Sequence, residues 1–289
     1  MTTADLRLTQ DISNILNNGF KDENPRPKYA DGTPAYTISV NHVVRIYNLQ
    51  KEFPICSLRP IAWKSGIKEI LWIYQDQSNS LDLLRDKYNI HYWDDWGSKD
   101  MPGTIGVRYG ETVRRHKLID NLINDIKSNS YGRRHIMSLW QEDDFLASDG
   151  LLPCAFLTDW NVRGEYLDML LFQRSGDMLT ASGAGGINEV QYAALQMMIA
   201  KTTGYKPGQF THVVCNEQIY DRHIEAAKEL LKRANGQSLE YVYGKGYEFT
   251  YPRMIFEPKN NDFYEFSIND FRLEGYEPIK PQLKLELGI

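Results

Sequence analysis

The sequence predicts an α+β domain, and three observations carry that prediction. Apolar residues recur at helical spacing in some segments and in strict alternation in others. The two kinds of segment are mixed without a regular strand–helix–strand beat, unlike a doubly wound parallel sheet. No internal repeat, low-complexity tract or Gly/Ser/Pro-rich linker interrupts the 289 residues, so residues 1–289 read as a single domain.

Leu8, Ile12, Ile15 and Leu16 share one face of a helix predicted over 5–18. KDENPRPKYADGTPAY follows as a loop with prolines at 25, 27 and 34. TISVNHVVRIYN reads as two short strands around an Asn-His turn. Ile67, Ile70, Leu71 and Tyr74 then form a helical stripe, as do Leu118, Leu122 and Ile126 within a helix over 111–128. RHIMSLW alternates like a strand. FLTDWNV and EYLDMLLF, joined by Arg-Gly, read as a hairpin whose second strand is buried. Residues 189–203 suit a buried helix ended by Gly204, and THVVC a short strand feeding a helix over 217–233. The last fifty residues read as short strands split by Gly, Pro and Asn.

Composition narrows the function. With 33 Lys+Arg against 38 Asp+Glu the net charge is −5, which argues against a constitutive nucleic-acid binder. No apolar run approaches the ~20 residues of a membrane span. Cys56, Cys154 and Cys215 are too scattered for a disulfide framework, and the N-terminus lacks a signal-peptide pattern. A reducing, cytoplasmic setting is expected. Aromatic residues are 12% of the chain, enough for a stacking pocket.

Five features could carry chemistry. Cys154, in LLPCAF, reads first as a buried small hydrophobe; a nearby cation would instead make it a thiolate nucleophile. Arg174, in QRSGD, ends the apolar strand expected to pair beside it and could supply that charge. Arg133 and Arg134 open a strand, either as a solvated edge or as a bidentate phosphate grip. Glu69 flanks the stripe of Ile70 and Leu71; burial would raise its pKa and suit it to proton transfer. HYWDDWG is either a packed corner or a wall for a planar ring, and the glycine loop TASGAGGINEVQY precedes a helix. There is no P-loop or G-x-G-x-x-G, no HExxH or CxxC, and no G-x-S-x-G, so nucleotide-triphosphate, zinc and serine-hydrolase readings are poor. A cysteine nucleophile with an arginine-bound phosphate remains, and no metal is expected.

Read together, DGTPAYTIS, KEILW, YWDDW, GRRHI, LPC, QRSGD, NEVQYAALQMMIA and QIYDRH resemble the folate-dependent thymidylate synthase family, in order and over nearly the whole chain. The resemblance implies a mixed sheet, one face of which forms a two-fold dimer interface. It also implies reductive methylation of 2′-deoxyuridylate (dUMP) to thymidylate, with 5,10-methylenetetrahydrofolate giving the one-carbon unit and the hydride. Cys154 matches the nucleophile that adds to pyrimidine C6. Arg174 and Ser175 match the phosphate grip, within a run that also contributes Gln173. Arg133 and Arg134 match the pair donated across the homodimer. Glu69 matches the carboxylate organising the proton relay, and Tyr109 the tyrosine near the C5 proton. Asp177 matches the acid on the folate pterin, Asn188 the amide reading the pyrimidine, and Tyr220 the hydroxyl on the sugar. Trp93 and Trp96 match aromatics of the folate side, and the tail LELGI, ending at Ile289, the segment that closes the site.

The chain departs from the family pattern in places. Ala155 follows the nucleophile, where many relatives carry histidine, and Gln218 replaces a histidine on the sugar. The loop MLTASGAGGI is longer than usual. The N-terminal phosphate arginine has no clear equivalent, with Arg26 or Lys28 as substitutes. On the same fold, a 5-hydroxymethylase or a catalytically silent nucleotide or RNA binder are the alternatives.

Overall fold

A seven-stranded mixed sheet organises the chain in a computed structural model that describes residues 1–235 and 251–288. The elements run α1 (Thr3–Asn18), β1 (Phe20–Lys21), β2 (Thr37–Asn48), α2 (Trp63–Ile70), α3 (Leu81–Tyr88), α4 (Gly110–His116) and α5 (Leu118–Ser128). They continue with β3 (His135–Ser138), α6 (Glu142–Ala147), β4 (Ala155–Arg163), β5 (Tyr166–Gln173), β6 (Gly176–Asp177) and α7 (Ile187–Thr203). Last come β7 (Lys206–Tyr220), α8 (Ile224–Asn235), β8 (Arg253–Phe256) and β9 (Phe271–Glu274). The sheet order is β1-β2-β7-β5-β4-β3, with β6 beside β7; β5 and β6 run parallel to β7 and the other pairs are antiparallel. The α+β expectation holds.

Local chemistry explains the element boundaries. Thr2 caps α1 by accepting the Asp5 N–H at 3.0 Å while the Asp5 carboxylate accepts the Thr2 N–H at 2.8 Å. Leu8, Ile12 and Ile15 then face the core. The β4–β5 hairpin closes at Arg163 and Tyr166, with Gly164 supplying a φ of 62°. α7 is buried on almost every side, so its sequence shows little amphipathic contrast; Gly204, at φ 85°, stops it.

Four element expectations need correction. TISVNHVVRIYN is one strand, and His42 takes a φ of 59° inside it without a turn, because β7 pairs along its whole length. The helix expected over 111–128 is two helices, broken at Lys117 (φ 49°). THVVC is part of a strand that runs on to Tyr220, so Ile219 is a strand residue and α8 starts at Ile224. The stripe of Ile67 to Tyr74 leaves α2 through a wider π turn at Leu71–Gln75. In the final stretch the described residues contain β8, β9 and two short 3₁₀ turns.

Candidate active site

The sheet order places the chemistry. Because β5 and β7 are parallel, their C-terminal ends lie side by side, and antiparallel β4 begins where β5 stops, at Ala155 opposite Gln173. Cys154, Arg174, Ser175, Gln218 and Tyr220 therefore meet at one sheet edge. α2 and α7 pack across from them, Gly66 lying so close to Ile187 that a Cβ there would come within 2.6 Å of its side chain. Between them is a cleft of about 720 Å³ lined by Glu69, Trp93, Trp96, Tyr109, Cys154, Gln173, Arg174, Ser175, Asp177, Asn188, Gln218 and Tyr220. Twelve side chains singled out from sequence are thus gathered around one space.

The thiol sits at the start of β4, in a turn closed from both sides. The Arg174 N–H donates to the Cys154 carbonyl at 2.9 Å. Its guanidinium donates to the Pro153 and Leu152 carbonyls at 3.0 and 2.8 Å. Burial pushes the Cys154 thiol above its ordinary value, while Arg174 and then Arg26 pull it down. Arg174 is thus the larger of the two charges that hold the thiol down, set against a desolvation larger than either.

Opposite the thiol, Glu69 is buried and is the common acceptor of three donors. Trp93 Nε1 reaches it at 3.0 Å, Gln191 Nε2 at 2.8 Å, and the Tyr92 hydroxyl also donates. Burial raises its pKa and the three hydrogen bonds oppose the rise. Tyr109 starts α4 with a φ of 47° and stays a neutral phenol, because burial raises its pKa far up. Trp93 meets the Tyr109 ring edge-on at 5.1 Å.

The remaining candidates divide. Asp177 lines the cleft and accepts the N–H groups of Leu179 and Thr180 at 3.2 and 3.3 Å. Leu287 and Gly288 of the tail cover the cleft, while Ile289 lies outside the described residues. Arg26 lines the cleft; Lys28 instead pairs with Pro34. Arg133 and Arg134 are exposed and line no part of the cleft. The described residues contain no cluster of three or more His, Cys, Asp or Glu able to hold a metal ion.

The sequence model of the family described as thymidylate synthase matches residues 7–289. The chain belongs to the thymidylate synthase family. It is 48% identical to the thymidylate synthase of Streptococcus pneumoniae (strain 70585) and 47% identical to that of Streptococcus sanguinis (strain SK36), each over the full length of both chains. The thermostable thymidylate synthase A of Bacillus subtilis superposes on the whole chain with a TM-score of 0.86 at 34% identity. Family membership carries a methyltransferase activity, the conversion of dUMP to thymidylate with 5,10-methylenetetrahydrofolate as co-substrate.

The glycine loop of this chain is built for packing. Gly185 has a φ of 65°, and a Cβ there would lie 2.2 Å from the Cys56 nitrogen. Its N–H goes to Glu189 at 2.6 Å, so this loop is no phosphate cradle. Sequence reasoning missed Arg59, Gln191 and Tyr192, which also line the cleft. Arg59 sits among apolar neighbours in SLRPIA with no motif to mark it, and it is buried against the Leu179 carbonyl. Gln191 lies three residues beyond Asn188, one helical turn along the same face, and that spacing was the available signal.

Proposed function

We propose that the cleft divides the thymidylate synthase reaction between its two walls, with Cys154 as the nucleophile on pyrimidine C6. The observation that carries this reading is that Cys154 lines one cleft with Arg174, Tyr109, Glu69 and Asn188, close enough to Arg174 and Tyr109 for their charges to act on one another. Arg174 and Ser175 hold the phosphate, with Arg26 as the additional cation. A phosphate beside Arg174 competes with the Pro153 and Leu152 carbonyls for its donors. Gln218 and Tyr220, at the end of β7, take the sugar. Glutamine donates or accepts there as a histidine does.

Asn188 presents a donor and an acceptor to the pyrimidine edge, and Glu69 with Tyr109 handles protons at C5. Asp177 faces the reduced folate, which supplies the one-carbon unit and the hydride. Trp93 and Trp96, with Ile70, Ile73 and Ile187, give the apolar wall that a planar bicyclic ring requires. Leu287 and Gly288 exclude water, which hydride transfer requires.

The second subunit is part of the same proposal. On the sheet face away from α1 and α7, cross-strand pairing lines up Val44, Val213, Phe172 and Leu157 in one row and Ile46, Thr211, Leu170, Asp159 and Ile136 in the next. Val44, Ile46 and Ile136 are 53%, 50% and 54% exposed in the single chain, an apolar face that a second copy would cover. Arg133 and Arg134 flank this face at the start of β3 and line no part of their own cleft, which leaves them free to complete a partner's. The enzyme works in the cytoplasm, which suits three free thiols.

The test is turnover with product identification. Wild-type protein should convert dUMP to thymidylate with dihydrofolate as the other product, and Cys154→Ser should abolish this while still binding dUMP. Activity near wild type in Cys154→Ser would overturn the nucleophile assignment. A 5-hydroxymethyl pyrimidine with tetrahydrofolate would show water, in place of hydride, as the final donor.

A further inference from the structure

The backbone carbonyl of Ser175 sets the polarity of a buried row of side chains running away from the cleft. It is an acceptor only, and Gln173 Nε2 donates to it at 3.0 Å. The second Nε2 hydrogen goes to Asn188 Oδ1 at 3.2 Å. Gln173 Oε1 therefore faces His212 Nε2, 3.0 Å away, and that nitrogen must carry a hydrogen. His212 Nδ1 lies 3.1 Å from Glu189 Oε1, and the two share one further proton, so that either Nδ1–H donates to the carboxylate or the protonated carboxyl donates to Nδ1. Glu189 is tied down in turn by the Gly185 N–H at 2.6 Å and by Arg45 Nη1 at 3.5 Å. Both His212 and Glu189 are fully buried, and neither lines the cleft.

The other end of the row agrees with this polarity. Asn188 Nδ2 donates to Gln191 Oε1 at 2.9 Å, and Gln191 Nε2 donates to Glu69 at 2.8 Å. From His212 to Gln191, the links between side chains all donate toward Glu69. No amide in the row can turn over alone, because a flip sets oxygen against oxygen and nitrogen against nitrogen in a buried setting.

We infer that His212 and Glu189 are positioning residues for base recognition, locking the Asn188 amide in the one orientation that matches uracil and opposes cytosine. The inference rests on Asn188 being the amide that reads the base. Uracil offers an N3–H donor beside the O4 acceptor; cytosine offers an N3 acceptor beside an amino donor. An asparagine free to turn over satisfies either edge. A locked one satisfies uracil, and with cytosine it sets donor on donor and acceptor on acceptor, the kind of buried mismatch that gives strong discrimination.

The experiment compares Kd for dUMP and deoxycytidylate by calorimetric titration of the full-length wild type, His212→Phe and Asn188→Asp. His212→Phe keeps a flat ring beside Phe210 but removes the donor to Gln173. It should narrow the ratio of the two Kd values by about tenfold, chiefly by tightening deoxycytidylate. Equal weakening of both nucleotides is the signature of a merely structural residue and overturns the inference. If Asn188→Asp shifts preference toward deoxycytidylate while His212→Phe leaves the ratio alone, base reading stands and positioning falls. If neither variant moves the ratio, Asn188 is not the reader and the inference falls with it. Nitrogen-15 shifts of the His212 ring in wild-type enzyme give a check that needs no variant: a hydrogen on Nε2 is expected, and a bare Nε2 overturns the lock.

Discussion

Arg222 Nη1 lies 2.8 Å from both carboxylate oxygens of Glu286, and this pair holds the tail segment over the cleft. The other terminal nitrogen of Arg222 reaches Asp31 and Thr33 at 2.7 Å each, and the guanidinium sits 4.0 Å from the centre of the Tyr29 ring. His223 adds a 2.6 Å contact to the Glu286 carbonyl. One arginine thus ties the tail to the β1–β2 loop, with Leu287 and Gly288 placed over the cleft as a result.

Arg222→Ala should therefore impair closure more than substrate binding. The ion pairs are partly exposed and screened by solvent, so their net contribution to stability is small. Thermal stability should change little and Kd for dUMP should stay within a few-fold. Both kcat and KM for the folate should worsen, as in removal of residues 286–289. Equal losses in dUMP affinity and turnover, read from titration beside steady-state kinetics, would count against closure as the role.

The pH dependence of Cys154 has a definite sign. Burial raises the thiol pKa in the folded chain, so thiolate forms only as pH rises beyond the ordinary thiol range. Alkylation of Cys154 in the ligand-free enzyme, followed by peptide mass spectrometry to separate it from Cys215, should climb with pH to values above that range. Arg174→Gln removes the larger of the two opposing cations and should move the profile to still higher pH. A profile below the ordinary range would mean that Arg174 and Arg26 outweigh desolvation.

How much of this was legible in the sequence depends on the range of the signal. The hairpin and α7 were readable because alternation and Gly204 are local. The 12-residue β2 was not, since an Asn-His pair reads as a turn unless the 15-residue β7 is known to lie beside it. Cys154, Arg174 and Asn188 were found through motifs, yet the balance of charge at Cys154 depends on burial, which no motif records. His212 and Glu189 carry no such signal, because each sits in an ordinary strand or helix pattern. Their importance arises only when β5, β7 and α7 bring Gln173, His212 and Asn188 into one row.

Glu69→Gln should separate chemistry from binding. Glutamine has one acceptor oxygen where three donors converge, so at least one of Tyr92, Trp93 and Gln191 loses its partner, at a cost of about 1–3 kcal/mol in stability. It also cannot exchange a proton. Turnover should fall by about 10²-fold or more, the usual range for a lost acid–base group, with dUMP affinity little changed. Near-normal kcat, measured beside Kd, would remove Glu69 from the proton relay.

Arg133 and Arg134 give the sharpest test of a shared site. If they complete the partner's cleft, Arg134→Glu and Cys154→Ser are each inactive as pure proteins but complement each other. In a mixed dimer, one cleft carries both lesions and the other carries neither, since its cysteine comes from one subunit and its arginines from the other. Random exchange makes about half of the dimers mixed, so activity should return to about one quarter of the wild-type value. Val44→Glu in both proteins should prevent this recovery by placing a carboxylate in the apolar row that pairs with Val213, and sedimentation should show the loss of dimer. If mixing restores nothing while the dimers exchange freely, the arginines serve their own subunit or no cleft at all.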